Sequence, residues 1–165
     1  MGLPVKSYNK IEIIQSIFLV IGSVFLQTFL VPVLEINVWR PDLILIVTII
    51  IGYKYGAITG ILIGFILGLI QDSISVSPIG LSSLANCIIG FLSGNIKEFK
   101  LGSYGAILFT ILFMLIHGLI FYALYQFKTE TTYSYLILTR VFPNTIYSFI
   151  IWLFISFIFK PFMEE

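Results

Sequence analysis

Apolar residues in this chain fill whole segments instead of alternating or marking one helix face, and this constrains the fold more than any single motif. Residues 11–34 hold only a few polar side chains, among them Gln15, Ser16, Gln27 and Thr28, with Gly22, Ser23 and a closing Pro32. A helix that crosses a bilayer needs about 20 apolar residues, so this stretch is predicted to be a first span. It is too long for the core of a cleavable leader and has no small-x-small exit, so it is expected to be retained. The whole chain is 59% apolar and 10% charged, with a mean hydropathy of +1.07. Such a composition suits lipid, and the expected class is an all-α, polytopic membrane protein. Residues 1–165 are read as one integral-membrane bundle, because the connections are too short to hold a soluble module.

Five further spans are predicted. Residues 43–70 are apolar enough for one long helix, which would run about 42 Å against a hydrocarbon core of about 30 Å. It would also put Lys54 at its middle, at a cost of several kcal/mol, on the order of an insertion-scale penalty. Two short spans turning at Gly52-Tyr53-Lys54-Tyr55-Gly56 avoid both problems, since the tyrosines and lysine then mark an interface. A polar loop over 71–79 leads to a span over 81–96 that contains Asn86 and Cys87. Lys97, Glu98 and Lys100 make the next turn, 102–127 is a span carrying His117, 128–140 is a polar connection, and 141–159 is the sixth span.

Six spans put both termini on one side. Lys6, Lys10, Lys54, Lys97, Lys100 and Lys160 then face Arg40, Lys128 and Arg140, and the larger basic group predicts cytoplasmic termini. The Arg40 end and Asp72 are accordingly expected on the outer face of the cytoplasmic membrane.

Glycines recur at 52, 56, 60, 64 and 68, with Asp72 next in step. Residues four apart share a helix face, so Gly56, Gly60, Gly64 and Gly68 are expected to form a groove for close packing against another helix of the bundle. Asp72 falls at the negative end of that helix, where a carboxylate calls for a compensating cation. Arg40 is the expected partner of Asp42 or Asp72 at the outer helix ends.

Signs of catalysis are few. His117 is the single histidine, Asp42 and Asp72 have no accompanying base, and the glycine repeat lacks the GK[ST] ending of a phosphate loop. His117 is expected to bond a neighbouring span. Cys87 is the single cysteine, which leaves no intrachain disulfide and no CxxC motif, and is read as a structural thiol. A net charge of +1 without a basic run argues against nucleic acid. No cofactor or metal is implied, and the chain is not expected to be an enzyme.

Three stretches carry a resemblance. Arg40, Pro41, Asp42 and Leu43 open an apolar span; Gly64, Gly68, Leu69 and Asp72 close the glycine-rich one; Pro78, Gly80 and Leu81 follow the loop. Together they resemble the motifs of the rod shape-determining protein MreD family. The resemblance implies a non-enzymatic subunit of the cell-elongation machinery in the bacterial cytoplasmic membrane. Its expected partner is an MreC-like bitopic protein, with the peptidoglycan glycosyltransferase and transpeptidase and, indirectly, MreB beyond it. Arg40, Pro41, Asp42, Asp72, Pro78 and Gly80 become the candidate structural or partner-binding residues. The family is also similar in fold to the substrate-binding subunits of energy-coupling-factor vitamin transporters. Such a subunit is therefore the alternative reading, supported by Asn86 and His117 inside spans. Span one, however, offers only Gly22 and Ser23 where those subunits carry an A-x-x-x-A docking motif.

Overall fold

The computed structural model describes residues 9–75, 78–96 and 103–158. Lys6, Ser77, Lys97, Glu98, Lys100, Lys160 and the turn assigned to 97–100 lie outside the described residues. Among the described residues all regular elements are helical apart from one isolated bridge, Ile36 to Trp39.

Helix α1 (Lys10–Phe29) begins where the Asn9 side chain accepts the Ile11 amide. It does not reach residue 34 as one piece. Pro32 has no amide to offer the Thr28 carbonyl, and its ring crowds that carbonyl. The helix stops at Phe29, and a single separate turn, α2 (Val31–Leu34), follows. Asn37 then takes a left-handed conformation (φ 60°), which asparagine tolerates better than most residues, and turns the chain between Ile36 and Trp39.

The next 32 residues form the predicted hairpin, α3 (Leu43–Tyr55) and α4 (Ala57–Ile74). Gly56 alone is the hinge, at φ 93° and ψ 174°, a region open in practice only to glycine. The second arm is longer than its apolar run suggests. Gln71, Asp72 and Ser73, placed in a loop by their polarity, are helical, because their side chains all find partners within the bundle or along the helix. Helix α5 (Leu81–Asn95) returns antiparallel to α4.

Helix α6 (Ser103–Tyr125) is about 34 Å long and ends in a 3₁₀ turn, Gln126–Lys128. The polar connection is shorter than expected from charge alone. A helical turn, α7 (Tyr133–Leu136), runs through a π turn (Ile137–Val141) into α8 (Phe142–Ile158).

Among the described residues, four helical stretches are long and apolar enough to cross a membrane: Lys10–Phe29, Ala57–Ile74, Tyr104–Lys128 and Tyr133–Ser156. The shorter α3 occupies the interior, while α5 buries one face and leaves Leu84 and Phe91 exposed on the other. α3 is apolar on all sides and buries nine of its 13 residues. One side, through Leu45, Ile46 and Ile49, meets Ile89, Phe113, Met114 and Trp152. The other, through Ile44, Val47 and Ile51, meets Leu67 together with Leu19, Val20 and Val24 of α1.

The α4–α5 contact is the closest in the bundle. A methyl group at Gly60 would overlap the Gly90 carbonyl, one at Gly64 would come within 2.5 Å of the Asn86 carbonyl oxygen, and one at Gly68 would overlap the Ser83 backbone. α5 presents its own small residues, Gly90 and Gly94, against Gly60 and Ala57. Gly56 differs from its companions: the space around its α-carbon is open, and its glycine is required by the hinge. Gly52 takes up the same packing face on α3, against Ser93 and the Gly90 carbonyl.

Candidate functional site: a polar crevice at the Arg40 end

Lys10 and Lys54 lie towards one end of the bundle, where the Tyr55 hydroxyl meets Ser16 at 2.6 Å and the Glu12 carbonyl at 3.1 Å. The motif residues gather at the other end, where polar side chains concentrate.

Asp42 caps α3. Its Oδ1 accepts the Leu45 amide at 2.8 Å, and its Oδ2 accepts Gln71 Nε2 at 2.8 Å. Gln71 Oε1 in turn accepts Asn86 Nδ2 at 3.1 Å, so one polar chain links α3, α4 and α5. Gln27 of α1 joins this end by accepting the Leu43 amide at 2.9 Å.

Asp72 is 2% exposed. Its carboxylate accepts the Gly80 amide at 2.7 Å, the Ser82 amide at 2.9 Å, and the amide and hydroxyl of Ser83 at 3.4 and 3.3 Å. The positive end of α5 therefore supplies the compensation expected from a cation, and Asp72 ties the last turn of α4 to the first of α5. The link needs a tight turn. The Pro78 carbonyl accepts the Leu81 amide at 3.4 Å, and Gly80 sits at φ 105°, ψ −16°, the third position of a type II turn.

Arg40 does not pair with either aspartate. Its Nε lies 2.8 Å from Glu35, and its side chain is 57% exposed. Both aspartates are already occupied by helix-start amides and neutral donors, whereas Glu35, at the end of α2, is on the same surface loop as Arg40. Of the six candidate motif residues, Pro41 and Asp72 are buried, Asp42, Pro78 and Gly80 are partly covered, and Arg40 is exposed.

The Arg40-Pro41-Asp42 segment is held by α8 and the π turn before it, a contact invisible in the motif. The Arg40 amide donates to Asn144 Oδ1 at 3.0 Å, and the Asp42 amide donates to Ser148 Oγ at 2.9 Å. Arg140 Nη1 donates to the Val38 carbonyl at 3.1 Å, and the Tyr147 hydroxyl donates to the Leu34 carbonyl at 2.7 Å. Pro143 has no amide for the Thr139 carbonyl four residues earlier, and the Trp39 indole donates to that carbonyl at 3.1 Å. Spacing offers one signal for this strap: Arg140, Asn144, Tyr147 and Ser148 recur at three- and four-residue steps on an otherwise apolar helix.

Between this strap, α4 and α6 lies a crevice of about 380 Å³. Gln27, Asp42 and Gln71 line one side, while His117, Phe121, Tyr122, Arg140 and Asn144 line the other. Asn144 Nδ2 donates to the Tyr122 hydroxyl at 3.3 Å. His117 is 7% exposed, stacks on Phe121 with ring centroids 6.3 Å apart, and has an Nε2 without a hydrogen-bond partner. The bond to a neighbouring span expected of His117 is not made by this nitrogen. Among the described residues no three histidine, cysteine or acidic side chains come together as a metal site. Cys87 is half-buried, its thiol 3.6 Å from the Ile61 carbonyl.

Long apolar helices around a buried short one, with a polar crevice at one end, define a multi-pass helical membrane protein. The family model of the rod shape-determining protein MreD matches residues 8–165. The chain belongs to that family, whose role is in the determination of rod shape. Comparison with the curated proteins and with the solved structures returns no match.

Proposed function

We propose that the chain is a non-enzymatic subunit of the bacterial cell-elongation complex, resident in the cytoplasmic membrane, that binds an MreC-like bitopic partner. Through that partner it reaches the peptidoglycan glycosyltransferase and transpeptidase and, indirectly, MreB. The observation that carries this reading is the family match over residues 8–165. The bundle adds a physical reason for a scaffold role. Its outer helices leave apolar faces for a partner helix or lipid, as on α1, where only Ser16 and Ser23 are buried. In this reading α3 and α5 also cross the membrane, shielded by their longer neighbours, to make six passes. Both termini are cytoplasmic and the Arg40 end is outside, a reading that rests on the lysine-rich connections of the sequence. Arg40, exposed although paired with Glu35, is the motif residue that can touch a partner, while Pro41, Asp42, Asp72, Pro78 and Gly80 shape the surface around it.

Co-purification in mild detergent tests the assignment. Recovery of a bitopic coiled-coil protein with the chain supports it, and unchanged rod shape after deletion of the gene overturns it. A reporter active only outside the cell, fused after Lys160, is expected to be silent. The second reading, a vitamin-binding transporter subunit with the energy-coupling-factor fold, draws on the crevice. Recovery of the chain in an ATPase-bearing complex would establish that reading instead.

A further inference from the structure

The crevice is more than a gap between helices. At about 380 Å³ it holds the volume of roughly a dozen waters and falls in the size range of small-ligand pockets. Along α6 its lining runs from Tyr125 near the mouth to His117, eight residues or about 12 Å deeper. At the deep end is His117 Nε2, buried and unpartnered, with its ring stacked on Phe121. Buried polar atoms in native proteins are nearly always satisfied, so this nitrogen points to a hydrogen-bonding occupant.

Charge at the mouth narrows the chemistry. Arg40 is paired with Glu35, and both carboxylate oxygens of Asp42 are taken by the Leu45 amide and Gln71. Arg140 has only a neutral carbonyl, that of Val38, as its partner among the described residues. A guanidinium so placed keeps its charge and further donors for a phosphate. At the deep end a hydroxyl suits an imidazole nitrogen in either tautomer, because it can donate or accept.

We infer that the crevice binds a hydroxyl-bearing phosphate ester, with its phosphate at Arg140 and a hydroxyl at His117 Nε2. Such a group exists as the headgroup of phosphatidylglycerol and as a soluble glycerol phosphate. The inference concerns the isolated chain and stands apart from any partner protein.

The test uses the full chain in nanodiscs and reads the thermal unfolding midpoint, which a ligand of the folded state raises in a saturable way. One arm titrates glycerol 3-phosphate into phosphatidylcholine discs; the other replaces half of the phosphatidylcholine by phosphatidylglycerol. A rise in the first arm identifies a soluble ester, and a rise confined to the second identifies a lipid headgroup. In either arm Arg140→Gln and His117→Phe are expected to weaken the response at least tenfold, each against its own unliganded midpoint. Arg140→Lys is expected to restore part of it, and Lys10→Gln, at the far end, to leave it intact. If Arg140→Gln does not fold, His117→Phe alone decides. No rise in either arm, an undiminished rise in His117→Phe, or an equal response to inorganic phosphate overturns the assignment.

Discussion

The carboxylate of Asp72, in the last turn of α4, accepts the amide of Ser82, in the first turn of α5, at 2.9 Å. A negative charge at the unfavourable end of one helix is thus placed at the favourable end of the next. The Pro78–Leu81 turn is tight enough to bring the two ends together.

Replacing Asp72 should therefore release α5 from α4. Hydrogen bonds to a charged acceptor contribute about 1.5–3 kcal/mol each, so Asp72→Ala is expected to lower stability by about 3 kcal/mol. Asp72→Asn, which keeps one acceptor oxygen, should lose less. Chemical denaturation in detergent, followed by near-ultraviolet circular dichroism, measures both. Equal stability of Asp72→Ala and the parent would refute the cap.

The glycine groove should be intolerant at the positions that meet backbone. Gly64→Ala pushes its methyl into the Asn86 carbonyl and Gly68→Ala into the Ser83 backbone, each with an expected loss of about 1–3 kcal/mol. Leucine at either position should abolish the folded yield. Gly22→Ala on α1, with nothing within 4 Å of the added methyl, should instead be neutral or stabilising by about 0.5–1 kcal/mol. Size-exclusion profiles and denaturation midpoints of the three variants provide the comparison.

Gly56 separates packing from conformation. A methyl there meets nothing, yet φ 93° with ψ 174° is a region that side chains rarely enter. Gly56→Ala is expected to lose about 1–3 kcal/mol, entirely through backbone strain. A midpoint unchanged from the parent would show that the hinge adapts.

The strap from α8 should matter more than the visible ion pair. Ser148→Ala strands the partly buried Asp42 amide and is expected to lose about 1–2 kcal/mol, and Asn144→Ala, whose Arg40 amide water can reach, about 0.5–1 kcal/mol. Glu35→Gln breaks only the exposed pair with Arg40, with an expected change below about 1 kcal/mol. A double-mutant cycle between Asn144 and Trp39, whose indole holds the neighbouring Thr139 carbonyl, would show whether the strap acts as a unit. Coupling near zero would mean that its bonds act one by one.

Much of the architecture was legible in the chain because it follows from local chemistry. Unbroken apolar runs set the membrane class, and Lys54 in the middle of 43–70 required a hairpin. The four-residue step of Gly56, Gly60, Gly64 and Gly68 marked a packing face before its partner was known; the last three meet α5, and Gly56 serves the hinge instead. The motif residues around Arg40 and Asp72 suggested the family, to which the chain belongs. The tertiary structure decided what each polar group pairs with. Arg40 turns to Glu35 because both aspartates are consumed by helix amides; Gln71 and Asp72 stay helical because α3 and α5 satisfy them. Asn144 and Ser148 reach the motif across more than a hundred residues. Hydrophobic periodicity is a property of each segment taken alone, so sequence can express it. Hydrogen-bond partners depend on which helix ends meet, and only the packed bundle determines that.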